Sequence, residues 1–110
     1  MLKPWEVIAE LEADNSRLVK EAIVRREAKA DNAEFFRGCI AALDSMITYG
    51  VKQVPEATAD GKGLTDEFFW TNAQRLAERA VTGDAARVAI LTMMQKATRE
   101  QWNGWYRRIL

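Results

Sequence analysis

Asp31-Asn32-Ala33-Glu34-Phe35-Phe36-Arg37-Gly38-Cys39-Ile40-Ala41-Ala42-Leu43-Asp44-Ser45-Met46-Ile47-Thr48-Tyr49-Gly50 is the stretch that decides the fold class. Phe35, Phe36, Cys39, Ile40, Leu43, Met46 and Ile47 recur at intervals of three and four, the spacing that lines one broad face of an α-helix. Asp31 and Asn32 offer capping oxygens at its start, and Gly50 suits a left-handed residue at its end. A helix from about residue 33 to Tyr49 is therefore predicted, with that face inward.

Working outward, the same reasoning gives five more helices. Upstream, Pro4 suits a first helical turn, and Trp5, Ile8, Ala9 and Glu12 follow at helical spacing. Asp14-Asn15-Ser16 can cap a second helix from about Arg17 to Lys29, with Leu18, Val19, Ala22, Ile23 and Ala30 as its apolar stripe and Glu21 and Arg25 as a favourable pair. Downstream, residues 51–63 contain Pro55, Gly61 and Gly63 and are predicted to form the one substantial loop. Thr65 caps a fourth helix whose inner face is Phe69, Ala73, Leu76, Ala77 and Ala80. Gly83 is predicted to end that helix, and Thr82 or Asp84 to cap a fifth from about Ala85 to Lys96. Thr98-Arg99-Glu100-Gln101 has the form of a capping box for a last helix holding Trp102, Trp105, Tyr106, Ile109 and Leu110. The expected fold is all-α, a compact orthogonal or bundle-like array of about six helices in one domain over residues 1–110. The pattern stops at Leu110 without a C-cap, as a truncated chain would.

Composition removes most catalytic chemistry. There is no histidine and a single cysteine, so no Ser/His/Asp triad, Cys/His pair or zinc cluster can be assembled. Cys39, in an apolar helical stretch, reads as a structural thiol. Asp66-Glu67 point in different directions on a helix and suit the dipole of its first turn rather than acid–base work. Asp60-Gly61-Lys62-Gly63 lacks the spacing of a P-loop and reads as a loop tip, with Lys62 free to touch a phosphate. The Trp residues read as core rather than as stacking platforms for bases. No apolar run approaches the roughly 18 residues needed to cross a bilayer, and Met1 to Glu6 lack the apolar stretch of a secretory signal. The expected location is cytoplasmic, with no membrane partner. Binding, not catalysis, is the expected role.

Lys and Arg together number 16 and Asp and Glu 16, a formal net charge of zero. The charges are segregated, however: net −3 over residues 1–16, +2 over 17–37 and +3 over 84–110. A neutral total can hide a basic face. The corner Val81-Thr82-Gly83-Asp84-Ala85-Ala86 is the best candidate for its centre. A helix N-terminus presents free N–H groups and a partial positive charge to a phosphate, and Arg79 and Arg87 flank it.

Arg79-Ala80-Val81-Thr82-Gly83-Asp84-Ala85-Ala86, followed by Trp105-Tyr106-Arg107-Arg108-Ile109-Leu110, resembles the N-terminal helical domain of phage-type ATP-dependent DNA ligases. In that family a Thr-Gly-Asn/Asp-Ala-Ala corner opens a helix, and an Arg-Arg pair leads into the catalytic domain. Ile47-Thr48-Tyr49-Gly50-Val51-Lys52-Gln53-Val54-Pro55 is similar to the aromatic-basic stretch that closes the third helix there, and Arg17 to Arg26 and Asp31-Asn32 fall at matching spacing. The resemblance implies a DNA-binding domain, acting in DNA replication and repair in a bacterial or phage-infected cell, that grips nicked duplex DNA across the minor groove. It implies catalytic domains on the same polypeptide as partners and a monomer. The nucleophilic lysine of the family lies in a Lys-x-Asp-Gly motif, which Lys29-Ala30-Asp31-Asn32 fails at its last position. No cofactor is expected in this chain, and it should be inactive alone; ATP and magnesium belong to the full-length ligase.

Charge and resemblance together select Arg79, Thr82, Gly83, Asp84, Ala85, Arg87, Lys52, Lys62, Arg107 and Arg108 as DNA-binding residues, Asp84 serving more as a cap than as a contact. Two rivals stand beside this. A helical protein-interaction module of phage or prophage origin would use an exposed Met93-Met94 and Trp105-Tyr106 surface. A helix-turn-helix piece of another enzyme would read base edges with Asn or Gln in the major groove.

Overall fold

The computed structural model describes all residues, 1–110, and is all-helical. Helix α1 spans Pro4–Ala13, α2 Arg17–Lys29, α3 Ala33–Leu43, α4 Asp66–Ala77 and α5 Gly83–Lys96. The sixth, α6, begins at Arg99–Gln101, passes through a π-helical stretch Trp102–Tyr106 and closes with Arg107–Ile109. Most helix starts follow from short polar side chains. Ser16 accepts from the Val19 N–H, Asn32 from Phe35, Thr65 from Phe68 and Thr98 from Gln101, each satisfying a first-turn donor. Gln101 reaches back to the Thr98 N–H, completing the capping box.

The helix ends depart from the sequence expectations. Helix α3 stops at Leu43, well before Tyr49, because Asp44 turns extended and its carboxylate accepts from the Met46 N–H. A short acidic side chain that bonds the backbone locally competes with helix continuation. The apolar face predicted for α3 therefore splits. Phe35 is buried and Phe36 and Cys39 are half-buried, while Ile40, Leu43, Met46 and Ile47 are exposed, Leu43 and Met46 at 84% and 88%. The connection to α4 correspondingly covers residues 44–65, not 51–63.

Helix α4 ends at Ala77 and is terminated by Arg79, not by Gly83. The Ala80 N–H bonds the Arg75 carbonyl and the Arg79 N–H the Leu76 carbonyl, the paired closure of a Schellman motif. Arg79 occupies the left-handed position at φ 60°, where glycine is usual. Helix α2 closes in the same way, with Asp31 at φ 54° and the Asn32 and Asp31 N–H groups on the Glu27 and Ala28 carbonyls. Its stripe is also not buried as expected: Leu18, Val19, Ala22 and Ala30 are exposed, Ile23 is half-buried, and the one fully buried side chain of α2 is Glu27. The pair on α2 is Arg17–Glu21 rather than Glu21–Arg25.

The core is organised around α6. Trp102, Trp105, Tyr106 and Ile109 are all buried there. Trp105 stacks on Phe35 at 5.7 Å between ring centroids, and Tyr106 packs on Phe69 at 4.4 Å. Gly38 lets α3 approach: a Cβ at that position would lie 2.0 Å from Trp105 Cζ2. The polar side chains of α6 bind the long connection by its backbone. Trp102 Nε1 donates to the Pro55 carbonyl at 2.8 Å and Arg107 Nε to Val54 at 2.9 Å. The Asn103 amide pairs with both backbone groups of Ala57, and the Gln101 amide with both of Leu64. Each amide thus acts as a short piece of strand, satisfying a segment that has no secondary structure of its own.

Candidate nucleic-acid interface

Pinning the connection to α6 leaves a groove of about 680 Å³ between residues 50–55 and the N-terminal half of α5. Its charged lining consists of Lys52, Arg87 and Arg107, with no carboxylate, and its apolar floor includes Val51, Val54 and Ile90. Gly50, Val51 and Lys52 form a ridge, on whose other side lies a second groove of about 530 Å³. The charged side chains there are Lys52, Arg79 and Arg108, again with no Asp or Glu in the lining. A chain of zero net charge therefore carries one face on which five cations line two adjoining grooves.

The cations differ in what holds them. Lys52 and Arg87 are exposed and form no ion pair. Arg107 donates to the Val54 carbonyl and lies 3.9 Å from Glu56, a loose contact. Arg108 pairs with Glu12 of α1 at 2.7 Å and donates to the Asn103 carbonyl. Arg79 donates to Thr48 and to the last carbonyls of α4.

Gly83 sits at the mouth of the first groove, in the left-handed region at φ 57°. Thr82 precedes α5 without a side-chain cap, and neither it nor Asp84 bonds the first-turn N–H groups. Helices α2, α3, α4 and α6 all begin under a capping oxygen, so the expectation that Thr82 or Asp84 caps α5 is not met. The donors of Gly83, Asp84 and Ala85 stay open to solvent beside the cationic groove. Lys62 lies elsewhere. The Gly61 and Gly63 N–H groups bond the Ala97 and Lys96 carbonyls, placing Lys62 at the far end of α5, about 20 Å from the corner at helical rise.

Asp66 accepts from Trp70 Nε1 at 3.1 Å and from the Tyr106 hydroxyl at 3.2 Å, a structural use. Burial, with the Asp66 charge beside it, pushes the Tyr106 phenol above its ordinary range. Burial likewise raises the Cys39 thiol, leaving it unactivated. Of the surface assigned to a protein-interaction module, Met93, Trp105 and Tyr106 are buried and Met94 is half-buried; that expectation is corrected. The side-chain roles missed in the sequence are those of Asn103 and, beyond its capping box, of Gln101. Their signal was an amide on each side of Trp102 within an aromatic helix, where a half-buried amide requires a partner.

No family model and no curated protein sequence matches the chain. Two solved chains do, over its whole length. One is named Pmar-Lig_Pre, at 44% identity and a TM-score of 0.96; the other is Pmar-Lig_PreS3, at 44% and 0.95. Both names mark ligase-related chains. This chain is similar to one domain-sized piece of each. It spans 26% of their length, so most of each neighbour has no counterpart among these residues.

Proposed function

We propose that the chain is the non-catalytic, N-terminal DNA-binding domain of a phage-type ATP-dependent DNA ligase, and that it grips nicked duplex DNA through the backbone and minor groove. The observation that carries this is the groove between residues 50–55 and α5, lined by Lys52, Arg87 and Arg107 and by no Asp or Glu, on a chain neutral overall. The likeness to ligase-named chains supports the same reading. Cations on opposite walls of a groove, with open helix N–H donors at its mouth, suit successive phosphates. The apolar floor suits sugar faces. Lys62, at the far end of α5, serves a separate phosphate or none.

Sequence-blind binding fits α5 better than base reading does. Its first three turns hold Asp84, Ala85, Arg87, Val88 and Thr92 on the exposed side and no Asn or Gln. The chemistry lies with the catalytic domains of the same polypeptide, which would hold ATP, magnesium and the nucleophilic lysine; the residues here bind and orient.

The test is titration of the chain with nicked duplex, intact duplex and single strand at several salt concentrations. Salt-sensitive duplex binding that ignores sequence is expected, and Arg87→Ala should lower the salt slope by about one unit. No duplex binding at low salt would overturn the reading.

A further inference from the structure

We propose that Arg79 is a positioning residue that fixes the Thr48–Pro55 wall of the groove, rather than a phosphate contact. Its guanidinium is already occupied. Nη1 donates to the Thr48 and Leu76 carbonyls at 3.0 Å each and approaches Ala77 at 3.4 Å, while Nη2 donates to Thr48 Oγ1 at 2.9 Å. These bonds tie the last turn of α4 to the connection, across 31 positions of sequence. The fork also lies on Gly50: a Cβ there would come within 3.0 Å of Arg79 Cζ. Gly50 and its neighbours Val51 and Lys52 are the ridge between the two grooves. Releasing Arg79 therefore removes the polar tie at the Thr48–Gly50 end of the segment that carries Lys52, leaving Tyr49 packing there and Arg107 and Trp102 at its Val54–Pro55 end. The left-handed backbone of Arg79 fits this role. Arginine is kept where glycine is usual, against a conformational cost, and what its side chain reaches is the end of α4 and Thr48.

The effect on DNA rests on the function proposed above; the effect on the loop does not. Two variants separate them. Arg79→Lys keeps the charge and loses the planar fork. Arg79→Gly loses both but suits the left-handed backbone, so the helix end stays intact. Amide NMR order parameters over residues 49–54 are measured relative to α4 and α5, beside titration with a nicked duplex of mixed sequence at several salt concentrations. Both variants should lower the loop order parameters from the rigid range, about 0.85, to below about 0.6 and weaken duplex binding several-fold with the salt slope unchanged. A phosphate contact instead predicts that Arg79→Lys binds like the parent and that Arg79→Gly loses about one unit of slope. That outcome overturns the proposal, as do unchanged order parameters, or a loosened loop with undiminished binding. Should the parent chain bind no duplex at all, the DNA reading falls, and the order parameters alone decide whether Arg79 holds the wall.

Discussion

Helices α6 and α2 both carry apolar residues at helical spacing, yet they are held by opposite means. Helix α6 buries Trp102, Trp105, Tyr106 and Ile109, and its polar groups bind the long connection. Helix α2 leaves Leu18, Val19 and Val24 exposed and buries one glutamate. Glu27 accepts from Asn32 Nδ2 at 2.7 Å and from Arg26 Nε at 2.7 Å, and Arg26 continues to Glu10 of α1. One helix is packed; the other is tied by charge. The difference teaches that apolar spacing states which side chains could face a core, while the core's location decides which do.

The largest expected effect breaks the packing side of that contrast. In Gly38→Ala the new methyl would meet three atoms of the Trp105 indole, at 2.0, 2.6 and 2.9 Å. Alanine in a helix interior is ordinarily favoured over glycine by about 1 kcal/mol, so any net loss isolates the clash. Overpacking against a rigid ring costs about 1–3 kcal/mol or more, which lowers the melting temperature by about 10 °C in a domain of this size. Leu18→Ala on α2, at 77% exposure, should stay within about 0.5 kcal/mol. Equal effects of the two substitutions in thermal unfolding would refute the contrast.

That asymmetry also marks where the sequence was legible. The starts of α2, α3, α4 and α6 were readable because a capping oxygen acts over three residues. The all-helical class and the burial of Trp102 and Trp105 followed from periodicity. The end of α3 was not readable, since Met46 and Ile47 continue the spacing after Asp44 has already bonded its own backbone. The end of α4 was hidden for a different reason: Arg79 holds a position that chemistry assigns to glycine, and Gly83 stood nearby to claim it. For the interface, charge segregation pointed to Arg87, Arg107 and Arg108, and the corner at Gly83 to Arg79. Only tertiary structure could bring Lys52 beside Arg87 and carry Lys62 away, because both depend on how α6 folds the connection back.

A middle-sized effect is expected where α6 holds that connection. Asn103→Ala removes both bonds to Ala57, at 2.8 and 3.0 Å, and strands a buried N–H and carbonyl. Such losses cost about 1–3 kcal/mol. The exposed Arg17–Glu21 pair on α2 is the matched comparison, since removing a surface ion pair costs about 0–1 kcal/mol. Amide exchange should rise at Ala57 in Asn103→Ala and stay unchanged there in Arg17→Ala. Unaltered protection at Ala57 in the first variant would show that the backbone, not the amide, fixes the connection.

The smallest effect sharpens the other half of the contrast, because acid should loosen α2 before α6. Asn32 and then Arg26 hold the Glu27 carboxyl below its ordinary value of 4.5, and Arg26 does the same for Glu10. A carboxyl depressed in the folded state contributes stability above its unfolded pKa, and that contribution fades as pH falls through the folded value. The tie between α1 and α2 should therefore weaken below about pH 4.5. Glu34 opposes this. Burial and the nearby Asp66 raise it, so its contribution is full below its ordinary value and is lost as pH rises. A global melt mixes the two signs, whereas exchange resolved by helix separates them. Between pH 6 and pH 3, once the intrinsic pH dependence of exchange is removed, protection should fall along α2 and the start of α3 at Asn32. It should hold at Trp102, Trp105 and Tyr106, which no carboxylate ties into the core apart from the Asp66 contact to Tyr106. Uniform loss along both helices would mean that α2 is docked by the same packing as α6, and that the Glu10–Arg26–Glu27–Asn32 chain is incidental to its place.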